Sequence, residues 1–301
     1  MLKRFLLRRM IHTLLLLLSV SGGSFLLLEL APGNFLTEAK LNPQLSPQTL
    51  AALHDRLGLD RSLPERYLYW LKSATQGDFG ISFAYNMPVS VLIWPRMRST
   101  LLLTATSLGL AWSIALPLGV WAAARKGSSL DRLLVLLTSG LLSIPELVLA
   151  CGLLIVAAKT AWLRIGGLPL AVCVLAPASL PLLLRHIRAG VLTASGASYV
   201  RAARAHGISE GRLWFRHVLP AASHSLISLF GLSVAGLLSS SLLVEVVVGW
   251  PGLGPLFLEA VAARDFYIVA GVVFLSANFL AVGNLLADLL LYYGDPRIRM
   301  T

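Results

Sequence analysis

Three acids stand inside long apolar runs of this chain: Glu146, Glu245 and Asp288, the last preceded four residues earlier by Asn284. An ionisable group in hydrocarbon costs about 2.5–3.5 kcal/mol on insertion scales, so such groups face protein or a water-filled path. Glu146 follows Pro145, and a proline frees a carbonyl and kinks its helix, which makes this acid a candidate for lining a polar pathway. Glu245, near the outer end of its run, suits a structural hydrogen-bonding role. Asn284 and Asp288 share one helical face and read as ties between helices. The other reactive residue types form no catalytic or metal set. His12, His54, His186, His206, His217 and His224 are scattered, and Cys151 and Cys173 lie in apolar runs without a His or acid at ligand spacing, as packing residues do. The apolar runs hold no paired Ser and His and no His-Glu-x-x-His. There is no Gly-Lys dipeptide, so no Gly-x-x-x-x-Gly-Lys-Ser/Thr loop can cradle nucleotide phosphates. The expectation is a chain with no catalytic residue, no metal ligand and no cofactor of its own.

The elements that would position these residues follow from hydropathy. Apolar residues make up 56% of the chain, charged residues only 13%, and the mean hydropathy is +0.77. More decisive are runs near the roughly 20 apolar residues needed to cross a bilayer. They predict spans over 10–30, 99–122, 133–158, 168–184, 221–248 and 267–292, the fourth short and interrupted by Pro169, Pro177 and Pro181. The fold class is therefore all-α, an integral membrane protein with about six transmembrane helices. A basic start before a leucine run also suits a secretory signal peptide. Its apolar core exceeds the roughly 7 to 15 residues of such signals, and no small-x-small site follows, so it is read as a span.

Orientation comes from Lys and Arg in the short connections, which stay cytoplasmic during insertion. With the N-terminus inside, fifteen basic residues fall on that face, in 3–9, 125–132, 185–216 and 297–299. Lys159, Arg164 and Arg264 fall on the other. Both termini are thus expected in the cytoplasm. The net charge of +11 is explained by this placement and requires no nucleic acid.

Two segments outside the spans carry pattern. Between the first and second spans lies a stretch of short helices: Ser46 and Pro47 suit a helix start, Leu50, Leu53 and Leu57 recur at helical spacing, and Gly58 closes it. A second helix begins at Pro64, with Tyr67, Trp70 and Leu71 on one side, and breaks at Gly77-Asp78-Phe79-Gly80. This stretch suits either a cap over helix ends or a contact with a partner protein. The cytoplasmic connection 185–220 is longer than a turn needs. Helix formers up to His206 and then Gly207 predict a short helix with a left-handed cap. A second short helix over 210–219, with Leu213, Trp214, His217 and Val218 as its apolar stripe, is expected to stop at Pro220. Two such helices form a knob below the membrane, suited to docking a partner or to lying in the interface with arginines on headgroups.

The spacing of Ala202-Ala203, Gly207 and Leu219-Pro220 resembles the coupling motif of binding-protein-dependent ABC importer permeases. Arg201 stands where such permeases generally carry an acid, and the peptide and nickel branch commonly shows an arginine-rich version. The resemblance extends along the chain through Leu6 to Arg9, Ala31-Pro32-Gly33, Leu57-Gly58-Leu59-Asp60, Gly77 to Gly80, Trp250 to Gly254, Arg264 to Tyr267 and Asp295-Pro296-Arg297. Two departures bear on substrate: a short outer loop from Trp162 to Leu168, and Glu146 in place of a small polar residue.

This resemblance implies a pore-forming subunit, not an enzyme, carrying di- or oligopeptides, with nickel or a metal chelate as the alternative cargo. It implies a second homologous permease, two ATP-binding subunits that use ATP and Mg, an extracytoplasmic solute-binding protein, and residence in the bacterial inner membrane. Tyr199, Arg201, Ala202, Ala203, Arg204, Gly207, Leu213, Leu219 and Pro220 are then the residues coupling to the ATPase. The chain divides into 1–31, the N-terminus and first span; 32–98, an extracytoplasmic helical segment; and 99–301, the permease core with its coupling motif at 199–220. An ion-coupled secondary transporter would instead use the intramembrane acids as ion sites, but leaves the knob unexplained.

Overall fold

The computed structural model describes residues 2–30, 62–160 and 163–294. The readings on 46–58, on 31–33 and 57–60, on Trp162 and on 295–297 lie outside the described residues. In chain order the helices are α1 (Leu2–Leu30), α2 (Leu63–Thr75), α3 (Val89–Ala124), α4 (Ser129–Leu142), α5 (Glu146–Thr160), α6 (Leu168–Ser195), α7 (Ser198–Ala205), α8 (Glu210–Leu213), a π-helical turn (Trp214–Val218), α9 (Leu219–Val248), α10 (Leu253–Ala262) and α11 (Phe266–Gly294). Among the described residues, five helical stretches are long and apolar enough to cross a membrane, or six if α4 and α5 together make one span.

That proviso corrects the expected third span. α4 and α5 meet at an angle of 91°. At the break Ser143 N–H bonds to Gly140 O at 3.1 Å and Ile144 N–H to Leu141 O at 3.2 Å, a tightening of the last turn. Pro145 has no N–H to continue the ladder, and it pushes Ile144 out of the helical region. A new ladder opens when Val148 N–H reaches Pro145 O at 2.9 Å. The fourth span is corrected too: α6 runs 28 residues to Ser195, well past Leu184, with Pro177 and Pro181 inside it.

Backbone contacts group the chain into two compact units, one of residues 1–6, 100–250 and 280–301, the other of 7–99 and 251–279. The first unit is a bundle around α6 and α9. One apolar cluster joins Ile187 and Val191 of α6 to Val200, Leu213 and Val218 below, and another joins Leu103, Val174, Leu237 and Val248 above. Lipid tails offer no hydrophobic contrast to drive helices together, so small residues that permit close approach hold such bundles. A Cβ on Gly119 would lie 2.7 Å from Ile187, and one on Gly231 2.7 Å from Ala287.

In the second unit α2 is amphipathic. Glu65 accepts from Ser62 N–H at 3.1 Å at its start, Trp70 and Ala74 are buried, and Tyr69 points out. Trp70 Nε1–H donates to Phe79 O at 3.3 Å, and its ring stands edge-on to Phe274 at 5.7 Å. The fully buried Asp265 organises the loop before α3: its Oδ2 accepts from Ser82 Oγ at 2.6 Å and Ala84 N–H at 3.0 Å, and its Oδ1 from Ile268 N–H at 3.3 Å, capping α11. The Gly77 to Gly80 and Arg264 to Tyr267 motifs thus belong to one packed structure. At its exposed edge Tyr85 OH donates to Glu259 at 2.6 Å, which raises the phenol's pKa.

Candidate functional site

The knob is built from α7, the turn after it and the start of the following helix. α7 ends in a two-bond cap: Gly207 N–H bonds to Arg204 O at 3.0 Å and Ile208 N–H to Ala203 O at 3.4 Å, a Schellman arrangement. It requires a left-handed residue at the turn, and Gly207 has φ +77°. A Cβ there would meet nothing within 4 Å, so any penalty for a side chain is one of backbone conformation alone. Below the crest, Val200 and Leu213 are fully buried, with Ala203 and Ile208 packed beside them. Tyr199, Arg201, Ala202 and Arg204 are exposed, forming a crest of small, basic and aromatic groups.

The second half of the knob differs from the expected separate helix. α8 leads through the wide turn Trp214–Val218 directly into α9, and Pro220 sits in the first turn of α9 instead of ending a helix. The reason is geometric: a proline ring collides with the carbonyl four residues before it and cannot donate, and here the preceding turn is widened so that Leu219 N–H bonds to Trp214 O, five residues back. The knob is one free-standing helix plus the lower end of a long one, not a pair of independent helices. Leu219 is half-buried, and Pro220 is exposed.

Side chains absent from the predicted set tie the knob together. Glu210 accepts from Arg204 Nε at 2.7 Å and Nη2 at 3.3 Å and from Trp214 Nε1 at 3.2 Å. The Arg204 guanidinium holds the Glu210 carboxyl below the usual carboxylate range. Phe215 projects with 78% of its surface exposed, and no periodicity in the sequence marks it. Higher up, Arg188 makes a two-point contact with buried Asp131, Nε to Oδ1 at 2.6 Å and Nη2 to Oδ2 at 2.8 Å. Asp131 also accepts from Gly127 N–H at 2.9 Å. This pair fixes α6 to the start of α4. Its one sequence signal is an acid alone in the basic stretch 125–132.

The intramembrane candidates do not converge. Glu146 opens α5 at the 91° break, partly exposed, with its Oε1 buried and making no hydrogen bond. Glu245 is fully buried near the end of α9, where its carbonyl accepts Trp250 N–H at 2.9 Å beside left-handed Gly249. Asn284 is exposed on α11, which does not suit a tie within this chain, and Asp288 is half-buried. Cys151 and Cys173 are exposed thiols and not the packing residues expected. In the loop before α6, Gly166 N–H donates to Val248 O at 3.0 Å. No group of three metal-binding side chains occurs among the described residues.

Among the described residues, a helical bundle with five or six helices long and apolar enough to cross a membrane defines a multi-pass membrane protein. The comparisons make this specific. Residues 115–300 match the family described as binding-protein-dependent transport system inner membrane component, and 1–104 match its N-terminal counterpart. The chain belongs to that family. It is 33% identical to the oligopeptide transport system permease protein AppB of Bacillus subtilis strain 168, over 98% of each chain. The dipeptide transport system permease protein DppB of Escherichia coli K12 is 28% identical, again over 98% of each. Among solved structures, an inward-facing MetNI methionine ABC transporter matches with a TM-score of 0.58 at 20% identity, covering 68% of this chain and 96% of that one. That likeness is one of fold. The chain is accordingly a permease component of the inner membrane and not itself an enzyme.

Proposed function

We propose that this chain is one of two related membrane subunits that form the pathway of a peptide importer, with both termini and the knob in the cytoplasm. One observation carries the cargo: the match to permeases named for oligopeptides and dipeptides runs over 98% of each chain. The same names favour peptides over nickel. Family membership implies an ATPase and a binding protein as partners; two ATP-binding subunits, which bind the ATP and Mg, are the stoichiometry we infer. The crest of Tyr199, Arg201, Ala202 and Arg204 docks the ATPase, while Ala203, Gly207, Leu213, Leu219 and Pro220 hold its shape. A partner shifts a conformational equilibrium only through unequal affinity for its states, so closure of the ATPases on ATP must grip the knob more tightly in one state of the bundle. Glu146 lines the pathway, Glu245 holds the outer end of α9, and Asn284 and Asp288 serve contacts between helices, Asn284 with the second subunit. The three regions 1–31, 32–98 and 99–301 act as anchor, extracytoplasmic docking segment and pathway core.

The test is reconstitution of the four-subunit complex with its binding protein in vesicles. Uptake of a labelled peptide should require ATP on the knob side and disappear when either permease is omitted. Uptake driven by an ion gradient without ATP would defeat the reading.

A further inference from the structure

Between α3, α4 and α6 the first unit has a small open recess lined by Ala122, Leu134, Val135, Leu184, Arg185 and Arg188. The two arginines differ. Arg188 spends its Nε and Nη2 on Asp131, so that pair is neutral. Arg185 donates from Nη2 to Ser139 Oγ at 2.7 Å, and among the described residues it has no carboxylate partner. Ser139 in turn donates to Val135 O at 2.7 Å. The recess therefore presents one uncompensated guanidinium whose other N–H groups remain available to an acceptor.

Its depth is fixed by two independent marks. Arg185 lies 17 residues from the start of α6, about 26 Å at 1.5 Å per residue, which brings it close to the far edge of a hydrocarbon core of about 30 Å. On α3, Trp121 is exposed next to Ala122, with the Arg125 guanidinium 5.4 Å from its ring centre. Trp in that setting belongs to the headgroup level. On the outer side of α4, Leu133, Leu136 and Leu137 are all exposed and offer a surface for acyl chains.

We infer that this recess is a binding site for an anionic phospholipid, its phosphate on Arg185 and its chains along α4, because a lone guanidinium over an apolar wall at the headgroup level matches that chemistry. The lipid would bridge α4 to α6 beside the Asp131–Arg188 pair and above the knob. The inference uses the membrane placement proposed above, but its test involves neither peptide nor ATP, so failure of the transport reading leaves it standing.

The intact transporter in detergent is titrated with phosphatidylglycerol or phosphatidylethanolamine, and bound lipids are counted by native mass spectrometry. Arg185→Gln should weaken the tightest phosphatidylglycerol event about fivefold, the worth of one basic residue at a charged surface, and leave phosphatidylethanolamine unchanged. Arg185→Lys should retain most of it, and Arg98→Gln, a charge removed elsewhere, all of it. Val135→Trp, which fills the recess without touching charge, should abolish the same event, and it decides the matter if Arg185→Gln does not assemble. Equal phosphatidylglycerol binding in wild type, Arg185→Gln and Val135→Trp would overturn the site. Displacement of the lipid by millimolar inorganic phosphate would assign the recess to a soluble anion instead.

Discussion

At the scale of single residues, Gly207 and Asp265 make opposite demands. Gly207 needs only a left-handed backbone, since its surroundings are open. Gly207→Val should therefore insert normally yet lose ATPase copurification by roughly tenfold, whereas Gly207→Asn, which tolerates the same region, should retain most of it. Equal recovery for both variants would remove the cap from the coupling. Asp265 instead satisfies a hydroxyl and two backbone N–H groups while fully buried. Asp265→Ala should destabilise the second unit by about 3 kcal/mol, read as a lower melting temperature in detergent and faster proteolysis near residue 84. Glu146→Gln should change transport per complex more than the amount of complex, measured as uptake normalised to membrane abundance. Loss of abundance alone would make Glu146 a structural group.

Elements were readable from sequence where one signal acts alone. Runs of about twenty apolar residues located the spans but not the bend in the third or the length of the fourth, and Gly207 marked the cap of α7, because hydropathy and a left-handed turn depend on local chemistry. Two prolines act differently. Pro145, expected to kink a span, sits at a 91° bend; Pro220, expected to end a helix, is instead absorbed by a π turn. A proline removes a donor and restricts its neighbours, and tertiary packing decides whether the helix bends or widens around it. Pairings such as Asp131 with Arg188, or Glu210 with Arg204, were hidden because charge spacing along a chain does not state which partners meet in space. Helix crossings are equally tertiary. Gly231 faces Ala287 so closely that Gly231→Val should force α9 from α11 and reduce folded protein severalfold in fluorescence-detected size exclusion, while Gly236→Ala, with open space around it, should not.

For the whole molecule, membership of the binding-protein-dependent family implies an ATPase partner, and one prediction belongs to that scale. Purified alone, the chain should show no ATPase activity, and it should regain transport only on assembly; hydrolysis by the isolated chain would contradict its assignment. The contact between Ser82 and Asp265 spans 183 residues. At about 5–20 residues per second, a ribosome needs roughly 10–40 s to deliver the carboxylate after the hydroxyl has emerged. During that interval the loop before α3 waits without the acceptor that will hold it, while the bundle that ends in the knob is already being threaded into the bilayer. The second unit thus cannot close until residue 265 has emerged, and a nascent chain stalled before it should present that loop to quality-control proteases.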